Sequence, residues 1–325
     1  MRIAIVHQSV APDARLDELD TLQQVQSVKA SLLELGHEVF VFDCSIKTIK
    51  TVLDKIKKLK IDVVFNLVES FENRDSLQIT VPLLLDAINI PHTGCGVNAY
   101  FFNSHKLYAK KMMRFAKIPT PDWFEKKSLE KPKGKYILKS VAEDGSYGLD
   151  QDSIVSAKTN KELLNKIEIK QKLHGGGWFA EKYIDGREFQ ISIIGCNQNP
   201  KILFPTELIF LHQGEKICDY KSKWEENSKE YKLNKGVPVD LKKDAALIKE
   251  LKKISLECWD LFELNGYARV DFRVDSKNRP WVLEFNANPC LTLSCDCGLV
   301  ISATYSGLDY NKLIENIVKS ATYEK

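Results

Sequence analysis

Residues 268–286 read ARVDFRVDSKNRPWVLEFN, and their pairing decides the architecture of the larger part of the chain. The first eight residues alternate apolar and charged side chains without a fault, as a half-buried strand does when successive side chains point to opposite faces. SKNRP (276–280) interrupts the run and WVLEFN (281–286) resumes it. A turn centred on Lys277-Asn278 sets Asp271 opposite Glu284 and Arg269 opposite Asn286. The same register collects Val270, Phe272, Val274, Trp281, Leu283 and Phe285 on the other face, so the apolar pattern supports the pairing independently. Two directly opposed carboxylates, with Cβ atoms about 5 Å apart, repel each other unless a cation lies between them. Asp271, Glu284 and Asn286 together offer hard oxygen donors suited to Mg²⁺, which takes one or two carboxylates and completes its octahedron with water and phosphate oxygens. The alternative is a salt-bridged sheet surface using Arg269 and Arg273.

Towards the N-terminus the pattern changes. Short apolar runs at about 3–6, 39–42 and 62–67 alternate with helical patterns at about 16–35, 46–59 and 77–88, and a short strand leads to His92-Thr93. This βαβαβα series predicts a parallel sheet with helices on both faces, and only its strand ends and loops are expected to reach a ligand. After Gly94-Cys95-Gly96 comes one long helical pattern, about 98–115. From 135 onward short strands and hairpins prevail: 136–141, 153–156, 179–184 and 188–194, interrupted by a helix at about 161–169. Further strands are expected at 201–210, 269–274 and 281–285, with helices at about 244–264 and 310–321. The fold class is therefore α/β followed by α+β, with expected units at 1–96, 97–184 and 185–325.

Composition excludes several partners. The chain has 325 residues with a formal net charge of +3, so nothing in the charge balance calls for nucleic acid or an anionic membrane. The apolar stretch at 3–6 ends at His7-Gln8, too short for a signal-peptide core, and no run approaches the ~18 apolar residues of a membrane span. The eight cysteines show no disulfide framework and are read as reduced thiols, which fits a cytoplasmic protein. Cys290, Cys295 and Cys297 lack zinc-site spacing, and neither they nor the six histidines form a metal-binding pattern.

Two further stretches carry chemistry. Lys139 ends an apolar strand and AEDGSYG (142–148) follows at once, giving a point charge beside a glycine loop whose backbone N–H groups could approach a polyphosphate. FAEKYI (179–184) passes through Asp185-Gly186, a strong hairpin signal, into REFQIS (187–192). A strand end there could offer backbone groups to an adenine edge, and Glu188 a carboxylate to ribose hydroxyls.

Taken together, HTGCGVNAYFFNSHKLYAKKMM (92–113), YILKSVAEDGSYGL (136–149), FAEKYIDGREFQISIIG (179–195), CDYKSKW (218–224) and GYARVDFRVDSKNRPWVLEFNANPCLT (266–292) resemble the ATP-grasp superfamily, and within it the D-alanine:D-alanine ligases and their relatives. The resemblance implies an N-terminal Rossmann-like parallel-sheet domain, a small central lid lobe and a C-terminal ATP-grasp lobe. It implies that Lys106 and Lys139 contact the phosphates of ATP, with the 142–149 loop, including Glu143 and Ser146, closing over them. Glu181, Lys182, Tyr183 and Ile184 would hold adenine, Glu188 the ribose, and Asp271, Glu284 and Asn286 two Mg²⁺ ions, with Mn²⁺ as a substitute. Arg269 would stabilise the oxyanion of a tetrahedral intermediate, and Lys223 would reach the reacting phosphate or the acceptor carboxylate. The implied activity is an ADP-forming carboxylate–amine ligase acting through an acylphosphate on small-molecule substrates, with a homodimer as the family's common assembly.

The chain departs from the family in its substrate region. After the third strand, a His and a Gly-Gly-Glu-Asp-Gly loop are replaced by NLVESFENRD (66–75), which brings Glu69 in as a candidate. A Gly-Gly turn leading to a Glu is replaced by HQSVAPD (7–13), leaving Glu18 or Asp20 to grip an amino group. The acceptor loop reads NANPCLT (286–292), with Cys290 within it, and Cys295 aligns with a family Ser. These departures point to amino acids or small acids other than D-alanine; an authentic D-alanine:D-alanine ligase of peptidoglycan synthesis and a non-catalytic nucleotide-binding regulatory protein are the alternatives.

Overall fold

The first strand, β1 (Arg2–Gln8), is apolar along most of its length because it lies at the centre of a sheet covered on both faces. It pairs in parallel with β2 (Glu38–Cys44) and β3 (Val63–Asn66), and Val64 is bridged in parallel to His92. Helices α1 (Leu16–Glu34), α2 (Ile49–Lys58) and α3 (Thr80–Ala87) connect these strands. In α2 the buried residues Ile49, Val52 and Ile56 recur at helical spacing and leave the lysines on the solvent side. This is the expected α/β arrangement. The computed structural model describes residues 1–124, 132–195, 199–211, 214–225, 227–229, 231–293 and 298–321.

The helical pattern at 98–115 is two helices, α4 (Val97–Asn103) and α5 (Lys106–Phe115). The Ser104 hydroxyl donates to the Tyr100 carbonyl at 2.9 Å, and His105 leaves helical geometry with φ −137° and ψ 67°. The interruption frees the Lys106 N–H to bond the Val141 carbonyl at 3.0 Å, which anchors the start of α5 to the glycine loop. Next come the four strands of an antiparallel sheet, β4 (Trp123–Phe124), β5 (Lys135–Ser140), β6 (Ile154–Ser156) and β7 (Trp178–Lys182), in the order β4-β7-β5-β6. Helix α6 (Asn160–His174) packs on it through Leu163.

The third sheet holds β8 (Gly186–Gly195), β9 (Lys201–Ile202), β10 (Thr206–Phe210), β11 (Asn234–Pro238), β12 (Gly266–Asp275) and β13 (Pro280–Asn286). Its order is β11-β10-β8-β12-β13, with β9 on β8. Helices α7 (Tyr220–Trp224), α8 (Ala245–Leu261), α9 (Gly298–Tyr305) and α10 (Tyr310–Lys319) complete the chain. Phe189, Ile191, Val270, Phe272 and Val274 of this sheet share a core with Tyr100 of α4, Met113 of α5 and Leu251 and Trp259 of α8. A second core joins Ile3, Ile5 and Phe65 of the parallel sheet to Leu299 of α9 and Leu313 and Ile317 of α10.

Two expectations are corrected. Asp185-Gly186 does not close a hairpin: β7 belongs to the four-stranded sheet and β8 to the six-stranded one, so the dipeptide carries the chain between sheets. Gly186 serves close approach instead, because a Cβ there would lie 1.9 Å from the Val274 carbonyl oxygen. In the β12–β13 pair, Arg269↔Asn286, Val270↔Phe285 and Asp271↔Glu284 stand as expected, but a β-bulge follows and Phe272 faces Val282. The bulge puts Val282, not Leu283, into the core, while Trp281 and Leu283 stay partly exposed and Leu283 turns to the cavity described below. A run of three apolar residues, Trp281-Val282-Leu283, cannot report which of them faces inward once the alternation slips by one.

Candidate active site

The passage from β7 to β8 leaves a cleft between the four-stranded and six-stranded sheets, and a cavity of about 320 Å³ occupies it. Of the residues singled out from sequence, Glu18, Glu69, Lys106, Lys139, Glu143, Ser146, Glu181, Lys182, Tyr183, Ile184, Glu188, Lys223, Arg269, Asp271, Glu284, Asn286 and Cys290 line this one cavity. Cys295 lies outside the described residues.

Strand register explains the cluster on the cavity floor. Arg269, Asp271, Glu284 and Asn286 sit on opposed positions of β12 and β13, as the alternation required. The Arg269 guanidinium grips Asp271 with two bonds, Nε to Oδ1 at 2.7 Å and Nη2 to Oδ2 at 2.8 Å, and Asn286 Nδ2 donates to Asp271 Oδ2 at 3.1 Å. Burial alone would push the Glu284 carboxyl up, but Lys106, Lys139, Lys223 and Arg269 outweigh it and hold the group below its ordinary value. Two carboxylates and an amide oxygen on neighbouring positions form a donor set that fits Mg²⁺. Among the described residues no group of three or more His, Cys, Asp or Glu forms a metal site, so the remaining ligands of such an ion would be water or substrate oxygens.

Above this floor lie the lysines. Lys139 Nζ pairs with Glu181 Oε1 at 2.8 Å, and burial, which lowers its basicity, is overcome by Glu181 and Glu284. Lys106 Nζ bonds Asp144 Oδ1 at 2.6 Å and the Glu143 carbonyl at 2.8 Å, so the glycine loop seats its own acid on this lysine. Asn103 donates to Asp144 Oδ2 at 2.7 Å and accepts from the Ala287 N–H at 3.0 Å, linking the loop to the residue after the Asn286 ligand position. Glu143 is pushed above its ordinary value by burial, with Asp75 and Arg15 opposing. On the far side of the loop, Ser146 Oγ donates to the Cys218 carbonyl at 2.7 Å and Trp224 Nε1 to the Gly145 carbonyl at 2.8 Å. The segment around α7 thus closes over the loop and brings Lys223 to the cavity.

At the end of β7, the Tyr183 hydroxyl is fastened to Lys216, donating to its carbonyl at 3.2 Å and accepting from its N–H at 3.0 Å. Lys182 bonds the Lys133 carbonyl and stacks over Tyr136. Glu188 pairs with Arg273 at 2.8 Å; burial still leaves its carboxyl above the ordinary value.

The opposite end is acidic. Gln24 Nε2 donates to Asp20 Oδ2 at 3.1 Å and to Glu69 Oε1 at 2.8 Å, bridging the two carboxylates. Cys290 Sγ and Thr292 Oγ1 donate to Asp20 at 3.2 and 2.9 Å. Glu18, by contrast, is spent on its own helix end, accepting from the Arg15 N–H at 3.1 Å and pairing with the Arg15 guanidinium at 3.5 Å.

Sequence reasoning passed over Lys110, Gln24, Arg273, Asp75 and Trp224. For Lys110 a signal existed: it lies one turn after Lys106 and adjoins Ala109 and, three on, Met113, all on the buried side of α5. Arg273 had been named only as a surface salt-bridge partner. Asp75 ends the 66–75 segment that departs from the family, where no pattern marks it, and Gln24 is one of several polar residues along α1.

A family model described as D-ala D-ala ligase C-terminus matches residues 122–319. A D-alanine–D-alanine ligase of Aquifex aeolicus is 29% identical over 308 residues, 92% of this chain and 94% of that protein. One from Moorella thermoacetica is 27% identical over 313 residues, 93% of this chain and 94% of that protein. Among solved structures, the D-alanine–D-alanine ligase of Bacillus anthracis complexed with ATP superposes with a TM-score of 0.73 at 22% identity, covering 98% of this chain and 97% of that one. The fold of this chain is accordingly that of the ATP-grasp ligases. With the match extending from the four-stranded sheet through α10 and taking in the carboxylate floor, Lys139 and Lys223, the chain belongs to the D-ala D-ala ligase C-terminus family.

Proposed function

We propose that the protein is an ATP-dependent, ADP-forming carboxylate–amine ligase that joins amino acids or small acids. A substrate carboxylate oxygen attacks the γ-phosphorus of ATP, the bond to the β-bridging oxygen breaks, and ADP leaves. An amine then adds to the acylphosphate carbonyl, and phosphate departs as the amide forms. The observation that carries this reading is the convergence of Lys106, Lys139, Lys223 and Arg269 with Asp271 and Glu284 on one cavity. Such chemistry needs positioning and fixed charge rather than a nucleophilic side chain.

In this proposal Lys139 and Lys106 face the phosphates, the latter after exchanging Asp144 for a phosphate oxygen. Arg269 donates to the oxyanion formed when the amine adds, its orientation fixed by Asp271. Lys223 neutralises the reacting phosphate or the acceptor carboxylate, Glu188 with Arg273 lies at the ribose, and residues 181–184 lie along the base. Mg²⁺, as two ions and replaceable by Mn²⁺, would be held by Asp271, Glu284 and Asn286 and supplies neutralisation of phosphate charge. Glu69 and Cys290 would meet the substrate. Residues 1–96, 97–184 and 185–325 are proposed as the three units of the chain, with the cleft between the second and the third. Small molecules would be the partners, with neither nucleic acid nor membrane, a homodimer the assembly and the cytoplasm the compartment. Five described cysteines are free thiols, and no helix among the described residues is long and apolar enough to cross a membrane.

The test is ADP release from ATP and Mg²⁺ across pairs of D- and L-amino acids and small carboxylates. Turnover with some pair supports the ligase, turnover with D-alanine alone identifies an authentic D-alanine ligase, and the absence of turnover with every pair contradicts the proposal.

A further inference from the structure

The acidic end of the cavity holds one carboxyl that is clamped in place yet keeps an open oxygen. Asp20, on α1, is saturated: Oδ1 accepts from Thr292 Oγ1, and Oδ2 from Gln24 Nε2 and the Cys290 thiol. Asp17 is engaged by the Tyr220 hydroxyl and by Arg15, and Glu18 by Arg15. Glu69 differs. Its N–H donates to Gln8 Oε1 at 3.1 Å and its Oε1 accepts from Gln24 Nε2 at 2.8 Å, so backbone and side chain are both fixed. Gln24 is itself held, being 2% exposed and accepting the Leu291 N–H at 3.1 Å. Glu69 Oε2 bonds no donor among the described residues, and Glu69 lines the cavity together with Lys223, Arg269 and Cys290.

Making an amide from an acylphosphate calls for a base, because an amine near neutral pH is an ammonium with no electron pair to offer. We propose that Glu69 is a catalytic residue of the ligase, the base that takes a proton from the attacking ammonium at Oε2 while Gln24 holds Oε1. This deepens the function proposed above and rests on it. One N–H proton passes to Oε2, the lone pair so released bonds the acylphosphate carbon, and the carbonyl π pair moves onto oxygen. When that pair returns, the bond from carbon to the phosphate oxygen breaks. Phosphate leaves with those electrons and takes up a second N–H proton as the amide forms. Asp17 and Asp20 act on Glu69 from α1 and Lys223 from α7, and its charge is felt by the Cys290 thiol and by the Tyr100 and Tyr267 phenols. Burial and the two aspartates push the carboxyl up to about 8 against Lys223 and Gln24, where a base is partly ionised at working pH and still holds the proton it takes.

The experiment gives wild-type protein and Glu69→Gln ATP, Mg²⁺ and the carboxylate–amine pairs of the ADP-release screen. Each carboxylate is offered its own amine or hydroxylamine, which is uncharged at neutral pH and traps an acylphosphate as a hydroxamate without help from a base. With Glu69 as the base, amide formation near neutral pH falls by about a hundredfold or more in Glu69→Gln. The deficit shrinks at alkaline pH as solvent deprotonates the amine, and hydroxylamine restores turnover to within about threefold of wild type. In the wild-type protein amide formation rises with pH and levels off above about 8, and hydroxamate formation does not follow it. Equal loss of amide and hydroxamate in Glu69→Gln would make the residue a support for the carboxylate substrate and overturn the proposal. A raised KM for the amine at unchanged kcat, the mark of a mere grip on the ammonium, would overturn it too, as would an unaltered amide rate. If Glu69→Gln does not fold, as judged by its thermal melt, the two wild-type pH profiles carry the comparison, and coincident profiles overturn the proposal. A wild-type protein that yields neither amide nor hydroxamate across the screen refutes the ligase reading itself, an outcome distinct from these.

Discussion

Burial pushes the Glu69 carboxyl up to about 8; Asp20 and Asp17 add to the effect, and the Gln24 bond and Lys223 oppose it. From the ordinary value of 4.5 up to about 8, the group is neutral when folded and ionised when unfolded, so folding takes up a proton. Stability from this residue is therefore greatest below pH 4.5 and declines as the pH rises towards 8. Glu69→Gln, which cannot ionise, should melt above the wild-type protein at pH 8, with the gap closing towards pH 5; a gap independent of pH would contradict the assignment. A second test concerns Arg273. Arg273→Met leaves Glu188 buried without its cation and should cost roughly 3–5 kcal/mol in urea unfolding, while Arg273→Met with Glu188→Gln recovers most of the loss. The chemistry of Asp271, Glu284 and Lys139 was legible in the sequence because a strand displays its polar side chains at a fixed period beside apolar ones. Lys110 and Gln24 were not, since a lysine or glutamine on a helix looks solvated until the element packed against it is known.

At the scale of elements, the informative feature is the bulge in β13. It turns Leu283 and Glu284, adjacent in sequence, towards the same cavity and sends Val282 into the core. Val282→Ala should then lower stability by roughly 1–3 kcal/mol, whereas Leu283→Ala should leave it within about 0.5–1 kcal/mol and weaken nucleotide binding. The reverse order would restore the unbroken alternation expected from sequence. Gly186→Ala is the corresponding test of the crossover between sheets. Its Cβ would meet the Val274 carbonyl at 1.9 Å, so the β8–β12 pair must part, and a loss of roughly 3 kcal/mol or more is expected. A loss near zero would mean that the two strands approach less closely there. The sequence signals failed at these two places for related reasons. Asp-Gly specifies a local turn but not which sheet the next strand joins, and a bulge leaves no mark in a run that is apolar throughout.

Across the whole molecule, contacts from distant parts of the chain meet around one cavity. Tyr220 donates to Asp17 at 2.9 Å, the Asp144 N–H to Asp75 at 2.6 Å, and Trp224 to Gly145 at 2.8 Å. A net charge of +3 conceals this arrangement, in which lysines and Arg269 face Asp271 and Glu284 on one side and Asp20 and Glu69 lie at the other. The order of α/β and α+β segments was readable from periodicity alone; the closure between them was not, because it depends on pairs more than sixty residues apart. The central claim is that a substrate carboxylate is phosphorylated in this cavity. It is tested most directly by supplying ATP and Mg²⁺ with carboxylate-¹⁸O-labelled forms of the amino acids or acids that release ADP, and weighing the phosphate produced. An acylphosphate route transfers one ¹⁸O atom to each phosphate, and Glu284→Gln abolishes its release; phosphate that carries no label would contradict the account.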